Sequence, residues 1–204
     1  MRLFYAPQTI SVATAIALEE AGLAYEPVRL DFASAEQSQP DYLRLNPKGR
    51  VPALVIGDEV LTETGALLEF IANRTPEAGL VPTDPMAAFR MREVMFYLAS
   101  TMHVNHAHKL RGARWADRAE SWQDMTAKVP ETMAASCAYL QESCAFTPYV
   151  LGEAMSLADI YLYVICTWLP GDGVQVADFP SIERFMRAME ARASIKAVKA
   201  AGML

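Results

Sequence analysis

The stretch Asn46-Pro47-Lys48-Gly49-Arg50-Val51-Pro52-Ala53-Leu54-Val55-Ile56-Gly57-Asp58-Glu59-Val60-Leu61-Thr62-Glu63-Thr64 decides the reading of this chain. Its first four residues form a turn signal, because proline pre-sets one dihedral and glycine tolerates a positive one. Ala53–Ile56 and Glu59–Leu61 are short apolar runs on either side of Gly57-Asp58, the pattern of a β-hairpin. Thr62-Glu63-Thr64 then opens a helical pattern carried by Leu67, Leu68, Phe70 and Ile71. Pro52 stands at the mouth of the first apolar run, where it has no N–H for a ladder. The Val51-Pro52 bond is a candidate for the cis form, which would leave the Val51 N–H and C=O open to an extended peptide. Glu63 and Thr64 would then lie at a helix N-terminus, a natural holder for a carboxylate. The competing reading is an edge-strand proline and an ordinary cap.

Composition bounds the answer. The chain has 204 residues, of which 52% are hydrophobic, so it can build a core and is not of disordered type. No run approaches the roughly 20 apolar residues of a membrane span. Met1-Arg2-Leu3-Phe4-Tyr5 is broken at once by Pro7, Gln8 and Thr9 and lacks a signal-peptide layout, so the expected location is cytoplasmic. A net charge of −6 argues against a general nucleic-acid binder. Cys137, Cys144 and Cys166 have no CxxC spacing and read as reduced, mostly buried thiols, and a zinc site is not expected.

Taken in order, residues 2–5 read as a strand, 11–21 as a helix stopped by Gly22, and 25–30 as a second strand. Residues 33–39 read as a loop and 41–45 as a helical turn; the hairpin and a helix over 64–74 follow. A βαβ half followed by a ββα half is a thioredoxin-like order. Residues 75–85 hold three prolines and read as a linker. Everything beyond is helical in pattern: a long helix over 86–111, a second over 115–145 with a candidate break at Pro130, and a buried helix from Ser156 to Trp168. Ser156-Leu157-Ala158-Asp159 is a capping box with aspartate in the acidic position. Helices opening at Phe179-Pro180-Ser181-Ile182 and running over 194–200 complete the chain. The expected organisation is therefore an α/β thioredoxin-like domain over 1–75, a linker over 76–85 and an all-α helical domain over 86–204.

Asn-Pro-x-Gly-x-Val-Pro-x-Leu followed by Glu63-Thr64 resembles the glutathione-binding half of cytosolic glutathione S-transferases. Gly152 with Ser156-x-Ala-Asp159, and Phe179-Pro180-Ser181-Ile182, resemble helix starts of that family's helical domain. The segment Arg2–Gly22 is most similar to bacterial beta-class members, which carry cysteine where this chain has Ile10. That departure puts a mixed-disulfide redox mechanism in doubt. The resemblance implies a transferase that activates the glutathione thiol for attack on small hydrophobic electrophiles, with glutathione as co-substrate, no metal, and a homodimeric assembly.

A free thiol titrates near 8.5, and lowering that by ~2 units needs about 2.7 kcal/mol of preferential anion stabilisation. A helix N-terminus and a hydroxyl donor together supply this much. The turn from Tyr5 to Ser11 offers three hydroxyls: Ser11 is the first choice of donor, Thr9 the second and Tyr5 the third. The resemblance implies that Val51 holds the cysteinyl part, Pro52 shapes the turn, Glu63 takes the γ-glutamyl ammonium and Thr64 its carboxylate. Lys48 and Arg50 flank the pocket as candidates for the glycyl carboxylate. His106 and His108, with Tyr97 and Trp115, are the candidate electrophile-site residues; a solvated or dimer-facing basic cluster is the plainer reading. Two other classes stay open: a non-catalytic binder or regulatory protein, and another glutathione-dependent enzyme such as an isomerase, dehalogenase or peroxidase. The Ser-Ser-Cys type motif expected of maleylacetoacetate isomerases is absent.

Overall fold

The computed structural model describes all residues 1–204, and they divide into two compact units, Met1–Val81 with Glu190–Leu204, and Pro82–Met189. In the first unit, strand β1 (Arg2–Tyr5) leads to helix α1 (Ser11–Glu20), then strand β2 (Glu26–Arg29) and the short helix α2 (Pro40–Leu45). Strands β3 (Ala53–Ile56) and β4 (Glu59–Thr62) form the hairpin, and helix α3 (Thr64–Arg74) follows. The sheet order is β2-β1-β3-β4, with β1 parallel to β2 and antiparallel to β3. This is the thioredoxin-like arrangement expected from the βαβ and ββα halves.

The register places the ends of three segments together. Phe4 pairs with Ala53, and Ala53 pairs with Thr62. The chain therefore leaves β1 toward Ala6, enters β3 from Val51-Pro52 and leaves β4 toward Glu63-Thr64 at one end of the sheet. Helix α1 is buried on every face from Ser11 through Leu18. It packs against β1, α3 and the last helix, α9 (Ala193–Ala200). The sequence reading runs the helical domain to residue 204, whereas Glu190–Leu204 clusters with the first unit. Three contacts hold it there. The Arg192 guanidinium donates from Nε and Nη2 to the two Glu20 oxygens at 2.6 and 2.7 Å. The Ser194 hydroxyl also donates to Glu20. The Gln8 N–H donates to the Met203 carbonyl at 2.8 Å.

The second unit is helical. Helix α4 (Pro85–Tyr97) continues through a π-helical turn (Leu98–Met102) into α5 (His103–Arg111). Its start is capped by Asp84, whose side chain accepts from the Ala87 N–H at 2.8 Å. The expected single helix is thus one run carrying a π segment. Helix α6 begins later than the sequence pattern suggests, at Ala119, and runs to Ser143. It passes through Pro130 without a break, so proline here removes one backbone bond but does not end the helix. Helix α7 (Leu157–Cys166) is buried at all ten positions, and α8 (Pro180–Glu190) closes the unit. The Ser156/Asp159 capping box forms. The Asp159 carboxylate accepts from the Val150 N–H at 2.7 Å and from the Ser156 N–H and hydroxyl at 2.8 Å each. Three donors from two segments thus converge on one buried group, tying the Val150 turn to the start of α7.

Asp159→Ala would orphan all three donors and should cost about 2–4 kcal/mol in urea unfolding at pH 7. Burial raises the Asp159 pKa from 3.8 to about 6, so between those values the folded chain binds a proton more tightly than the unfolded chain. Its contribution to stability therefore declines as pH rises through that window. The stability gap between wild type and Asp159→Ala should be wider at pH 4.5 than at pH 7. A gap independent of pH would remove Asp159 as the titrating group.

Candidate active site

The turn between β1 and α1 contains a closed chain of hydroxyls. The Ser11 hydroxyl is fully buried, accepts from the Ala6 N–H at 3.1 Å and lies 2.6 Å from the Thr9 hydroxyl. The Thr9 hydroxyl donates to the Ala6 carbonyl at 2.8 Å and accepts from the Ser11 N–H at 3.3 Å. One consistent direction of donation runs from Ser11 to Thr9 to the Ala6 carbonyl. Of the two residues, only Thr9 is partly exposed. Gln8, with φ of 57°, bends the chain into the turn. The N–H groups of Thr9 and Ile10 have no partner in the chain and stand at the positive end of α1. Tyr5 lies elsewhere: it is buried, and its phenol faces Tyr25, whose pKa is raised first by burial, then by the Glu19 carboxylate it hydrogen-bonds in the last turn of α1, and least by Tyr5.

On the adjoining edge, the Val51–Pro52 peptide is cis, and neither the N–H nor the C=O of Val51 is engaged by the rest of the chain. The segment leading to it is held firmly. The Arg50 carbonyl accepts from the Tyr42 hydroxyl at 2.6 Å and from Asn46 Nδ2 at 2.7 Å. Asn46 is itself buried, and its Oδ1 accepts from the Lys48 N–H at 3.3 Å. Gly49, at φ of +59°, passes so close to the Gln37 carbonyl that a Cβ would meet that oxygen at 3.1 Å. Tyr42 and Asn46 escape a reading of the sequence as site residues, because neither touches the edge it supports. The motif flags Asn46 only as a turn former.

Glu63 precedes α3 with φ of 72° and ψ of 114°, a conformation that L residues rarely adopt. Its carboxylate meets Lys48 Nζ at 2.6 Å, and Lys48 also donates to the Thr62 hydroxyl at 2.6 Å. The side chains are 45% and 73% exposed for Lys48 and Glu63, so the pair contributes little to stability. Thr64 is buried in the first turn of α3, and its hydroxyl has no partner in the chain. Arg50 is exposed, and its guanidinium is unpaired. One sheet end therefore presents unpaired backbone donors, an open strand edge, an acidic group and a helix N-terminus.

In the helical unit, the four residues expected to line one site fall into three places. His108 meets Trp115 edge-on at 4.6 Å between centroids. Tyr97 packs against Tyr139 at 4.6 Å. These two tyrosines line a cavity of about 250 Å³ with Arg90, Glu93, Cys144 and Leu151. His106 stacks on Trp168 at 4.1 Å and joins Asp172. No three metal-ligating side chains converge in the structure.

Comparison with known proteins adds to this geometry. Residues 1–73 match the family model "Glutathione S-transferase, N-terminal domain", and residues 91–193 match the model for its C-terminal domain. The chain is 27% identical over 207 residues to glutathione S-transferase GstA of Escherichia coli O157:H7, covering all of both chains. It is 30% identical to a maleylacetoacetate isomerase of Pseudomonas aeruginosa, over 90% of this chain and 88% of that one. Among solved structures, a glutathione transferase homologue from Sulfitobacter with bound glutathione superposes with a TM-score of 0.98. It shares 62% identity over 100% of this chain and 98% of that one.

A residue held at φ of 72° identifies Glu63 as the strained position of the edge. Backbone strain of this kind costs about 1–3 kcal/mol, against roughly 0.5–1 for the added freedom of glycine. Glu63→Gly should therefore raise stability by about 1 kcal/mol in denaturant titration, while Glu63→Ala should not. A destabilised Glu63→Gly would show that the pairing with Lys48 outweighs the strain.

Proposed function

The chain belongs to the glutathione S-transferase family, and we propose that it binds glutathione along the Val51–Pro52 edge and activates its sulfur at the start of α1. The observation that carries this reading is the unengaged main chain of Val51, at the same sheet end as the α1 and α3 N-termini. An extended peptide adds to such an edge as a strand would. From there the γ-glutamyl carboxylate reaches the Thr64 hydroxyl and the first turn of α3. Its ammonium takes the place of Lys48 against Glu63. Lys48, once released, and Arg50 are the cations available to the glycyl carboxylate.

The sulfur falls at the mouth of α1. Two unpaired N–H groups and the helix dipole favour the thiolate. Thr9 is the hydroxyl placed to turn outward, and Ser11, whose hydroxyl lies 2.6 Å from it, sets its orientation. The pair works as one donor unit. The reaction that follows is attack of the thiolate on a small hydrophobic electrophile, with catalysis by thiol activation and proximity. A homodimer and a cytoplasmic location go with this reading. No helix is long and apolar enough to cross a membrane. A glutathione-dependent isomerase is the second reading, favoured by the likeness to maleylacetoacetate isomerase over most of both chains. Both readings use the same sulfur site and differ in whether glutathione leaves again.

Calorimetry of glutathione binding across pH 5.5–9 tests the common part. The expected result is binding with proton release near neutral pH. Glu63→Ala should weaken it at least tenfold, a loss of about 1.4 kcal/mol. Thr9→Ala and Ser11→Ala should each shift proton release upward in pH with little loss of affinity, and the double variant should do no worse than Thr9→Ala. Unchanged binding in Glu63→Ala would sink the proposed placement of glutathione.

A further inference from the structure

The turn between β1 and α1 is tied to a segment almost two hundred residues away, and the tie falls beside the proposed sulfur site. Gln8 stands in this turn at φ of 57°, a left-handed conformation that L side chains rarely adopt. Its N–H donates to the Met203 carbonyl at 2.8 Å. Pro7, just before it, has no N–H with which to hold the turn. Just after it, the Thr9 hydroxyl donates to the Ala6 carbonyl at 2.8 Å, and α1 begins at Ser11. Gln8 therefore spans two pinned points. The peptide that follows it carries the Thr9 N–H, one of the two unpaired donors at the head of α1.

The Met203 carbonyl is itself placed by a helix ending. Beyond α9, the Gly202 N–H donates to the Lys199 carbonyl and the Met203 N–H to the Val198 carbonyl, at 3.0 Å each, the paired bonds of a Schellman turn. Gly202 takes the left-handed conformation this ending requires, at φ of +68°, and a Cβ there would meet nothing within 4 Å. The side chains of Met203 and Val198 are both buried. At the other end of α9, Arg192 and Ser194 hold Glu20 of α1. All of these residues belong to the first unit.

We propose that Met203 is a positioning residue for the sulfur site: its carbonyl, by holding the Gln8 N–H, keeps Gln8 left-handed and the Thr9 N–H aimed at the sulfur. The role rests on the glutathione reading above. Met203 touches no reacting atom and acts through Gln8. Without this bond Gln8 relaxes toward negative φ, and the Gln8–Thr9 peptide plane turns with it. One of the two N–H donors is then lost to the thiolate.

Gly202→Val is the diagnostic change. A β-branched side chain is a genuine outlier at this φ, yet its Cβ enters open space, so the variant loses the turn without a clash. Arg192 and Ser194 still hold α9 to α1. The thiolate of bound glutathione, followed by its ultraviolet absorbance against pH, should titrate about one pH unit higher in the variant than in wild type. Below that pKa the thiolate fraction then falls about tenfold, with affinity for glutathione nearly unchanged. A turn with a merely structural role would lower stability and leave the thiol titration where it was, and that result would overturn the proposal. Glycine takes positive φ without help, so the same Gly202→Val change made in a Gln8→Gly background should shift the titration much less. An equal shift in both backgrounds would overturn the link through Gln8.

Amide hydrogen exchange of the isotope-labelled full chain tests the tie without glutathione. The Gln8 amide should be protected in wild type and exchange freely in Gly202→Val, while amides inside α1 keep their protection. A freely exchanging Gln8 amide in wild type would overturn the proposal, and that measurement needs no variant to fold. Failure of wild type to bind glutathione, or to form its thiolate, would count against the glutathione reading, and the Gln8 amide would still decide whether Met203 holds the turn.

Discussion

Helix α1 has no wet face from Ser11 to Leu18, and the site is measured from it. Eight consecutive residues from Ser11 to Leu18 are buried, against β1, α3 and α9. Burial of a side chain such as Leu or Ile contributes roughly 1.5–3 kcal/mol, so any rotation or sliding of this helix would be opposed on several sides at once. Its N-terminus therefore stays where the sheet puts it, beside the entry to β3 and the exit from β4. The C-terminal segment adds to this hold, because Arg192 and Ser194 grip Glu20 at one end of α1 and Met203 grips Gln8 near the other. Burial raises the pKa of Glu20, but the guanidinium and hydroxyl beside it outweigh that, and the carboxylate titrates below its usual range. Ionisation of Glu20 thus supports the fold: the benefit is present above the ordinary carboxylate pKa and is lost as pH falls through the lowered one.

A rigid helix start makes the rest of the edge a matter of loops, and each loop is held by a buried polar group rather than by apolar packing alone. Asn46 and Tyr42 meet on the Arg50 carbonyl. Ser11 and Thr9 meet on Ala6. Asp159 gathers Val150 and Ser156 in the helical unit. In each case a segment with no regular backbone partner finds one in a side chain, which buried backbone groups require. Glu63 is the exception. Its backbone is strained, and its side chain is held only by an exposed pairing with Lys48.

The strands, the hairpin and the capping box were legible because each is written in adjacent residues. Gly57-Asp58 between two apolar runs and Ser156 three residues before Asp159 are local signals with local causes. The motif that marked Val51, Pro52, Glu63 and Thr64 was legible for the same reason. What was not legible depends on residues far apart in the chain. Nothing in the pattern of residues 190–204 indicates that Arg192 would reach back to Glu20. Asp172 reads as a loop residue in Pro170-Gly171-Asp172-Gly173, and only the fold shows it buried under His106 and Lys109. Pro130 reads as a helix breaker, although α6 runs through it. The burial of the hydroxyls was equally hidden. Ser11 is the first choice of donor by sequence, and only the fold shows it fully buried beside a partly exposed Thr9.

Ile10 completes the chemical argument. It is buried at the head of α1, where a thiol would sit closest to the helix dipole. The three thiols the chain does possess are all in the helical unit. Burial pushes Cys137 up to about 12 and Cys144 up to about 11, with the charges of Asp159 and Glu93 adding to the second. Cys166, completely buried, is raised well above the ordinary thiol range. Only a thiolate is nucleophilic, so near neutral pH none of the three supplies a reactive sulfur. The unpaired N–H groups at the start of α1 thus face no sulfur of the protein's own. An arrangement suited to stabilising a thiolate, in a chain whose own thiols are all held protonated, is suited to a sulfur that arrives with the co-substrate.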